Sequence, residues 1–356
     1  MPKYTFAPLS EKEYATHIKK ASYTTFYNSP ERMRFIAHRN RKTGLYKISV
    51  NDSVVALAFY QVIPARSGSF VYFQHSPVFI DTRSAEDVTF WQELRSFAVE
   101  IGQKEQAVYV RFTPRIPSKK EIVTDIMTAG FKRAPVQELD ACVTRTITVA
   151  QYAEANLRED HQKMLERARK RNLEPAFSIE VAALEDFVSI YRTLAAKKQI
   201  DYVPVDYLKE ELKTYAESGQ ILIASLRDDK ETLYAASAII IQGHSAWNYW
   251  SAITDQGKEL GADVLLLHET LEELKKRKTT VLDLWGGSVS KEVAEKGLPH
   301  PWKSMDQFKQ GFGAVLSEYV PTLDLPVKAP QYLAAVFYQR ALMLKRGYPY
   351  LPLSGV

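Results

Sequence analysis

The same order of predicted elements occurs in both halves of this chain, and this order limits the folds open to it. Each half begins with three strands of alternating apolar residues and continues helix, strand, helix, strand. The three predicted strands lie at 45–50, 54–63 and 69–74 in the first half and at 220–227, 232–241 and 245–253 in the second. Because helices between strands require partly parallel pairing, we expect an α/β (α+β) fold with mixed sheets.

The repeated order is that of an acyltransferase fold of the GNAT type, used twice. At 356 residues the chain is long for a single core, which favours two domains. We expect a GNAT-like domain 1 at residues 1–150, completed by the C-terminal segment 321–356, and a GNAT-like domain 2 at 151–320.

The composition is that of a globular protein, with 46% hydrophobic and 25% charged residues. No signal-peptide pattern is seen, and no apolar run reaches the roughly 20 residues of a membrane span. We therefore expect a cytoplasmic protein. The apolar segment 332–348 leaves two alternatives, docking onto the first domain or lying on a membrane surface. The single cysteine and the scattered histidines predict no metal and no cofactor.

Lys309 stands out because it lies between aromatic residues and glycines in HPWKSMDQFKQGFG (300–313), downstream of VLDLWGG. Trp302, Phe308 and Phe312 predict apolar walls around this lysine. A lysine held in that way suits stabilisation of negative charge that develops on a substrate; the alternative is a surface residue at a helix end. No nucleophile motif is present, so direct transfer to a bound amine or hydroxyl is the simplest chemistry.

A basic stripe is predicted on the helix at 161–171, which Asn172 would end in the left-handed conformation. Its four cations fall within about 100° of one another on a helical wheel. A phosphate-bearing partner and a solvated face are equally compatible with this pattern. The stripe consists of Lys163, Arg167, Lys170 and Arg171.

Several segments resemble, in order along the chain, motifs of the Fem peptidyltransferases (FemA, FemB, FemX), which build peptidoglycan cross-bridges. VLDLWGG followed by HPWKSMDQFKQGFG resembles the family's strand–glycine–FK.GFG region, and VYVRFTPRIP resembles its lRidP.i motif. VYFQHSPVFID, KMLERARKRNLE and AWNYWSA are similar to three further motifs of the family. The long helical arm of FemA and FemB has no counterpart here, so the chain resembles the armless FemX type.

The resemblance implies tandem GNAT-like domains that transfer an amino acid from aminoacyl-tRNA to the stem-peptide amine of a peptidoglycan precursor. The reaction would take place in the cytoplasm or at the inner face of the membrane, with peripheral membrane contact in the second case. Lys309 and Phe308 would be catalytic, and the basic stripe would bind tRNA. We expect the acceptor to be bound by Arg34, by Tyr207, and by Tyr249 or Trp250, which strand alternation would place on opposite faces.

Three positions depart from the family's pattern. Thr113 occupies its acidic position, and Ser76 replaces a glycine. Val203 replaces the arginine of the member that uses a nucleotide-linked precursor, which leaves a lipid-linked acceptor open.

Two other functions remain open. One is an acyl-CoA-dependent N-acyltransferase of the GNAT superfamily. The segment TDQGKELGADVLL (254–266) is its nearest candidate for a coenzyme A turn, although the spacing is wrong. The other is a non-catalytic module that binds RNA or a cell-wall precursor.

Overall fold

The computed structural model describes residues 3–136, 139–198 and 203–349, which fold into two units. Unit 1 is built from the described residues of Met1–Val143, Val289–Lys303 and Ser317–Val356, and unit 2 from those of Thr144–Ser288 and Ser304–Leu316. The first boundary therefore lies at residue 143 rather than 150, and residues 289–303 join unit 1 rather than the second domain. Of the predicted C-terminal segment 321–356, residues 350–356 lie outside the described part.

The strands and helices are numbered in chain order. The strands are β1 (Thr5–Pro8), β2 (Thr43–Val50), β3 (Ser53–Ala65), β4 (Gly68–Gln74), β5 (Val78–Phe79), β6 (Tyr109–Thr113), β7 (Lys132–Arg133), β8 (Val143–Thr148), β9 (Glu174–Ser178), β10 (Ile221–Arg227), β11 (Leu233–Gln242), β12 (Ser245–Ile253), β13 (Val281–Asp283), β14 (Val315–Glu318) and β15 (Leu323–Pro326). The helices are α1 (Glu11–His17), α2 (Pro30–His38), α3 (Val88–Lys104), α4 (Lys120–Thr128), α5 (Glu159–Arg169), α6 (Leu184–Lys198), α7 (Val205–Ala216), α8 (Asp255–Leu260), α9 (Ala262–Lys276), α10 (Lys291–Glu295), α11 (Lys303–Gln310) and α12 (Ala329–Lys345).

The sheet of unit 1 has the strand order β1-β2-β3-β4-β6-β15-β7, with β5 beside β3. The β4–β6 pair is parallel, and the other pairs are antiparallel. Helix α3 begins at the N-cap Asp87 and buries Phe90, Trp91 and Leu94 in the core over this sheet. These apolar residues recur at the helical period, which is why the sequence predicted the helix correctly.

The C-terminal helix α12 packs on the first sheet. Tyr332 and Val336 join Val108 and Tyr109 in a small apolar cluster. Of the two alternatives left by the sequence, the structure shows this segment docked onto the first domain. Leu333 and Phe337 remain exposed on the same helix.

The sheet of unit 2 has the strand order β14-β8-β13-β12-β11-β10-β9, in which β12 and β13 are parallel. Strand β8, predicted as the last strand of the first half, therefore belongs to the second sheet, where it pairs antiparallel with β13. The helix predicted at 258–277 is broken into α8 and α9 at Gly261, which has a φ of 79°. A Cβ at Gly261 would lie 2.7 Å from the carbonyl oxygen of Met164, so only glycine fits there. The two mixed sheets confirm the predicted fold class.

Candidate functional site

The turn after β13 is shaped by three successive residues in the left-handed region. Trp285, Gly286 and Gly287 have φ values of 49°, 25° and 63°. The Trp285 N–H donates to Asp283 Oδ1 at 2.8 Å, and Thr144 Oγ1 donates to the same oxygen at 2.6 Å. A Cβ on Gly287 would lie 2.1 Å from a neighbouring methionine sulfur, which explains why glycine is needed at the end of the turn.

Lys309 lies on α11 and points at this turn. Its Nζ donates to the carbonyl oxygens of Trp285, at 2.5 Å, and of Gly286, and the residue is only 6% exposed. An ammonium group has three donors, so one N–H remains without a partner among the described residues. Burial lowers the pKa of Lys309 to about 8, with the charges of Asp283 and Asp306 opposing that shift. The turn therefore holds the ammonium group of Lys309 in a buried position, where its pKa is closer to neutral than that of an exposed lysine.

A buried ion pair anchors the helix that carries the lysine. Arg145, on β8, meets Asp306 through two hydrogen bonds of 2.7 Å and 3.0 Å. Gln310 Nε2 donates to the same carboxylate at 2.7 Å. Sequence reasoning missed this pair. The signal for Asp306 was its position three residues before Lys309, on one helix face; Arg145, far away in sequence, gave no signal.

The aromatic residues that were predicted to surround Lys309 pack against other side chains. Phe308 and Phe312 both pack against His161, with ring centroids 5.2 Å and 5.1 Å from its ring. A Cβ on Gly311 would lie 2.4 Å from the His161 ring, so this glycine serves the same packing. Trp302 contacts other rings within unit 1. The described contacts of Phe308 are therefore packing contacts, and its catalytic role stays a prediction.

The aromatic residues of β12 do not alternate as the sequence suggested. Trp250 was expected on the face opposite Tyr249, but their ring centroids are only 5.6 Å apart. The cause is a β-bulge: Ala238 pairs with Trp250 while Ile239 pairs with Asn248, so Tyr249 is an extra residue. A bulge shifts the alternation by one residue, which brings Tyr249 and Trp250 to one face.

Tyr249 connects the bulge to the glycine turn. Its hydroxyl donates to both oxygens of the buried Glu211 at 3.2 Å, and its ring meets Trp285 edge-on at 6.0 Å. Tyr207 is half-buried and lies one turn before Glu211 on α7. The indole N–H of Trp250 is buried and has no partner among the described residues. Unit 2 thus brings Tyr249 and Trp250 towards the turn that holds Lys309.

The basic stripe is exposed, but its last two residues lie beyond the end of the helix. Helix α5 ends at Arg169, Lys170 is the C-cap, and Asn172 has the expected left-handed φ of 50°. Lys163 is paired with Glu159 at 2.5 Å. Arg167, Lys170 and Arg171 have no carboxylate partner among the described residues. Lys170 and Arg171 are therefore open to an anion, and Arg167 also donates to the carbonyl oxygen of Glu259 at 3.3 Å.

Arg34 lies in unit 1, on α2. Its side chain is 56% exposed and pairs with Glu31 at 2.9 Å. The buried cation of this helix is instead Arg32, which donates to Gln74 Oε1 at 3.3 Å and lies over the ring of Tyr27. The sequence predicted that both arginines lie on one helix. Which of them is buried depends on tertiary packing, which the sequence pattern does not show.

A carboxylate lies beside Thr113 although the family's acidic position is threonine here. Asp140 Oδ2 is 3.4 Å from Thr113 Oγ1, and it also accepts from Gln74 Nε2 at 3.0 Å and from the Tyr72 hydroxyl. Burial raises the pKa of Asp140. Sequence reasoning missed this residue because it comes 27 positions after Thr113, in a turn with no motif of its own.

Within residues 3–136, 139–198 and 203–349, no helix is long and apolar enough to cross a membrane, and no cluster of side chains suits a metal ion.

Comparison with known proteins places this geometry in an acyltransferase fold. Residues 155–303 match the family model of the acetyltransferase (GNAT) domain. A structure of FemX aligns over 93% of this chain and 100% of that chain, with a TM-score of 0.74 and 10% identity. No curated protein matches the sequence.

Two other solved structures share the fold. A tandem GNAT protein from the clavulanic acid biosynthesis pathway covers 91% of this chain and 99% of its own, with a TM-score of 0.57 and 9% identity. The C-terminal domain of a putative lysylphosphatidylglycerol synthetase from Agrobacterium fabrum covers 94% and 96%, with a TM-score of 0.55 and 14% identity. The chain therefore shares the fold of FemX and of a tandem GNAT protein.

Proposed function

We propose that this protein transfers an amino acid from aminoacyl-tRNA to the stem-peptide amine of a peptidoglycan precursor. The observation that carries the proposal is the buried Lys309 ammonium, held on the carbonyls of the Trp285–Gly287 turn in a fold shared with FemX. The motif resemblance in the sequence points to the same lysine. The reaction would take place in the cytoplasm or at the inner face of the membrane.

The chemistry follows from the one open N–H of Lys309. The acceptor amine attacks the ester carbonyl, so a C–N bond forms and the carbonyl oxygen becomes an oxyanion. Lys309 donates to that oxygen, or to the ribose oxygen as the ester C–O bond breaks. The amine loses a proton and the ribose oxygen gains one, which balances the transfer. A preorganised donor in a buried site stabilises such charge far better than water does.

The acceptor would be bound by Tyr207, Tyr249 and Trp250 of unit 2, while a part for Arg34 of unit 1 stays a prediction from the sequence. Supporting this, the bulge in β12 places two aromatic rings on one face near Trp285, and the Trp250 indole N–H is a donor without a partner among the described residues. Because Val203 replaces an arginine, we favour a lipid-linked over a nucleotide-linked precursor.

An acyl-CoA-dependent N-acyltransferase is the second candidate, because the matching family model is described as an acetyltransferase domain. The glycines that suggested a coenzyme A turn have a packing explanation. A Cβ on Gly257 would lie 2.6 Å from the carbonyl oxygen of Tyr234, and Gly261 is equally restricted by Met164.

A transfer assay with two donors and two acceptors tests the proposal. Purified protein is mixed with radiolabelled aminoacyl-tRNA or acetyl-CoA, and with a lipid-linked or a nucleotide-linked precursor. We expect label in the stem peptide only from aminoacyl-tRNA. Transfer from acetyl-CoA alone would support the second candidate, and binding without transfer would support a non-catalytic module.

The pH profile tests the protonation state of Lys309. The acceptor amine must be neutral to attack, so the rate first rises with pH. Since the pKa of Lys309 is about 8, loss of its ammonium form above that pH offsets the gain in neutral amine, and we expect the rate to level off there. The rate of Lys309→Arg should instead keep rising above pH 8, because arginine stays charged. A wild-type rate that keeps rising through pH 9 would contradict the oxyanion role.

The basic stripe should set affinity for tRNA. We expect Arg167→Glu with Lys170→Glu to raise the Michaelis constant for aminoacyl-tRNA roughly tenfold or more at low salt, because two phosphate contacts become repulsive. The slope of log(kcat/KM) against log salt should flatten by about two. The control is Lys19→Glu with Lys20→Glu, an equal charge change on exposed residues of unit 1. A weaker acceptor with unchanged tRNA would mean that the stripe binds the precursor's phosphates.

A further inference from the structure

Unit 1 contains a cavity of about 470 Å³, which lies within the size range of small-molecule sites. It is formed by the ends of β7 and β14, the loop before β15, and helices α10 and α12. Its apolar lining includes Val136, Cys142, Val143, Met343 and Leu344. None of its lining residues belongs to the Lys309 site.

Two buried donors at this cavity have no hydrogen-bond partner among the described residues. They are the hydroxyl of Thr322, a residue only 3% exposed, and Nε of Arg133. Both residues line the cavity. They are neighbours in the sheet, because Ala134 N donates to Thr322 O at 2.9 Å and Leu323 pairs with Arg133. Buried polar atoms without partners are rare in folded proteins, so two at one end of a cavity indicate a missing acceptor.

The described cavity lining carries four cations (Arg133, Lys291, Lys296 and Arg340) and three carboxylates (Glu292, Glu295 and Glu318), and Arg133 is the cation beside Thr322. Its guanidinium lies 4.0 Å from Glu292, a longer contact than that of Lys296, which binds the same carboxylate at 2.7 Å. Glu292 is therefore mainly paired with Lys296. An arginine with an open Nε–H next to a hydroxyl suits a carboxylate or a phosphate oxygen.

We propose that the cavity binds a small amphipathic anion. Its carboxylate or phosphate accepts from Thr322 Oγ1 and Arg133 Nε, and its apolar body lies along Val143, Met343 and Leu344. The cavity lies wholly within unit 1, so the proposal does not depend on the transfer reaction.

Calorimetric titration of the full chain tests this with four probes: octanoate, octyl phosphate, octanol and inorganic phosphate. We expect octanoate or octyl phosphate to bind at least tenfold more tightly than both octanol and inorganic phosphate. The tighter of the two distinguishes a carboxylate ligand from a phosphate ligand. Equal affinity for octanol would overturn the anionic end, equal affinity for inorganic phosphate would overturn the apolar body, and no binding would overturn the site.

Two variants locate the bound anion. Thr322→Val removes only the hydroxyl, so we expect roughly three- to tenfold weaker binding, together with an apo-protein Tm that is unchanged or higher because an unpaired buried group is gone. Arg133→Met should abolish the preference for octanoate over octanol. Lys132→Met, at the exposed neighbouring position outside the cavity lining, is the control and should bind as wild type does. Unchanged affinity in both Thr322→Val and Arg133→Met would refute the site.

Occupancy can be read independently at Cys142, the single cysteine of the chain, which lines the cavity. The tightest probe should slow modification of Cys142 by a small thiol reagent in the wild type. It should not do so at the same concentration in Arg133→Met. Equal protection in the two proteins would place the probe elsewhere and contradict the assignment.

Discussion

Replacing Lys309 with methionine should lower the transfer rate by about 10²–10³, the usual loss when one preorganised donor to an oxyanion is removed. Methionine keeps most of the side-chain volume and loses only the charge and the donors. The predicted loss is in kcat, because the oxyanion exists only in the transition state. Steady-state kinetics with aminoacyl-tRNA and precursor measure it.

Stability separates this catalytic loss from misfolding. Burial lowers the pKa of Lys309 to about 8, so folding disfavours its charged form at neutral pH. As the pH rises from 8 towards the unfolded pKa of lysine, this penalty on the stability of the wild type disappears. Lys309→Met lacks this titration, so we expect its Tm relative to that of the wild type to fall between pH 8 and pH 10.

The matched control is Lys303→Met, the same substitution at the exposed first residue of α11. We expect wild-type kinetics from it. Near-normal turnover of a folded Lys309→Met protein would end the proposed role of this lysine.

Breaking the Arg111–Asp324 ion pair should destabilise the protein by about 3–5 kcal/mol, because one buried charge would be left without its partner. Arg111, on β6, meets Asp324, on β15, through bonds of 2.7 Å and 2.8 Å, with side chains 5% and 0% exposed. Gln339 and Tyr332 of α12 hydrogen-bond to the same pair. Asp324→Asn, followed by urea unfolding, measures the effect.

Two further variants test whether the unpaired buried charge causes the loss of stability. Arg111→Met with Asp324→Leu should recover a large part of the lost stability, because no unpaired charge remains. Glu86→Gln breaks the exposed pair with Lys119 and should leave the unfolding midpoint unchanged. A loss below about 1 kcal/mol in Asp324→Asn would show that water or another group compensates the arginine.

Local sequence periodicity determined most of the secondary structure. The strands of both meanders and helix α3 follow from alternation or a helical period, which are properties of neighbouring residues. The departures lie where distant groups intervene: the predicted helix breaks at Gly261, where the nearby carbonyl of Met164 leaves no room for a side chain. The bulge at Tyr249 likewise depends on β11 and changed the face of Trp250.

Motif resemblance also drew attention to Lys309, because the lysine, its neighbouring phenylalanines and its glycines are adjacent in sequence. The groups that define its environment are more distant in the chain. Arg145 precedes Asp306 by 161 residues, and the carbonyls of Trp285 and Gly286 lie 24 and 23 residues before Lys309. Side-chain spacing along one element carries no information about such partners.

By itself, the sequence determined the fold class and the repeated element order, and it pointed to Lys309, whose role stays a prediction. Only the tertiary structure decided which strands share a sheet: β8 belongs to the second sheet, and β15 lies beside β6 in the first. It also decided that Arg32 is buried while Arg34 is exposed, and that a cavity lies beside Thr322. The physical reason is that strand pairing and burial depend on contacts between residues far apart in the chain, which local patterns do not encode.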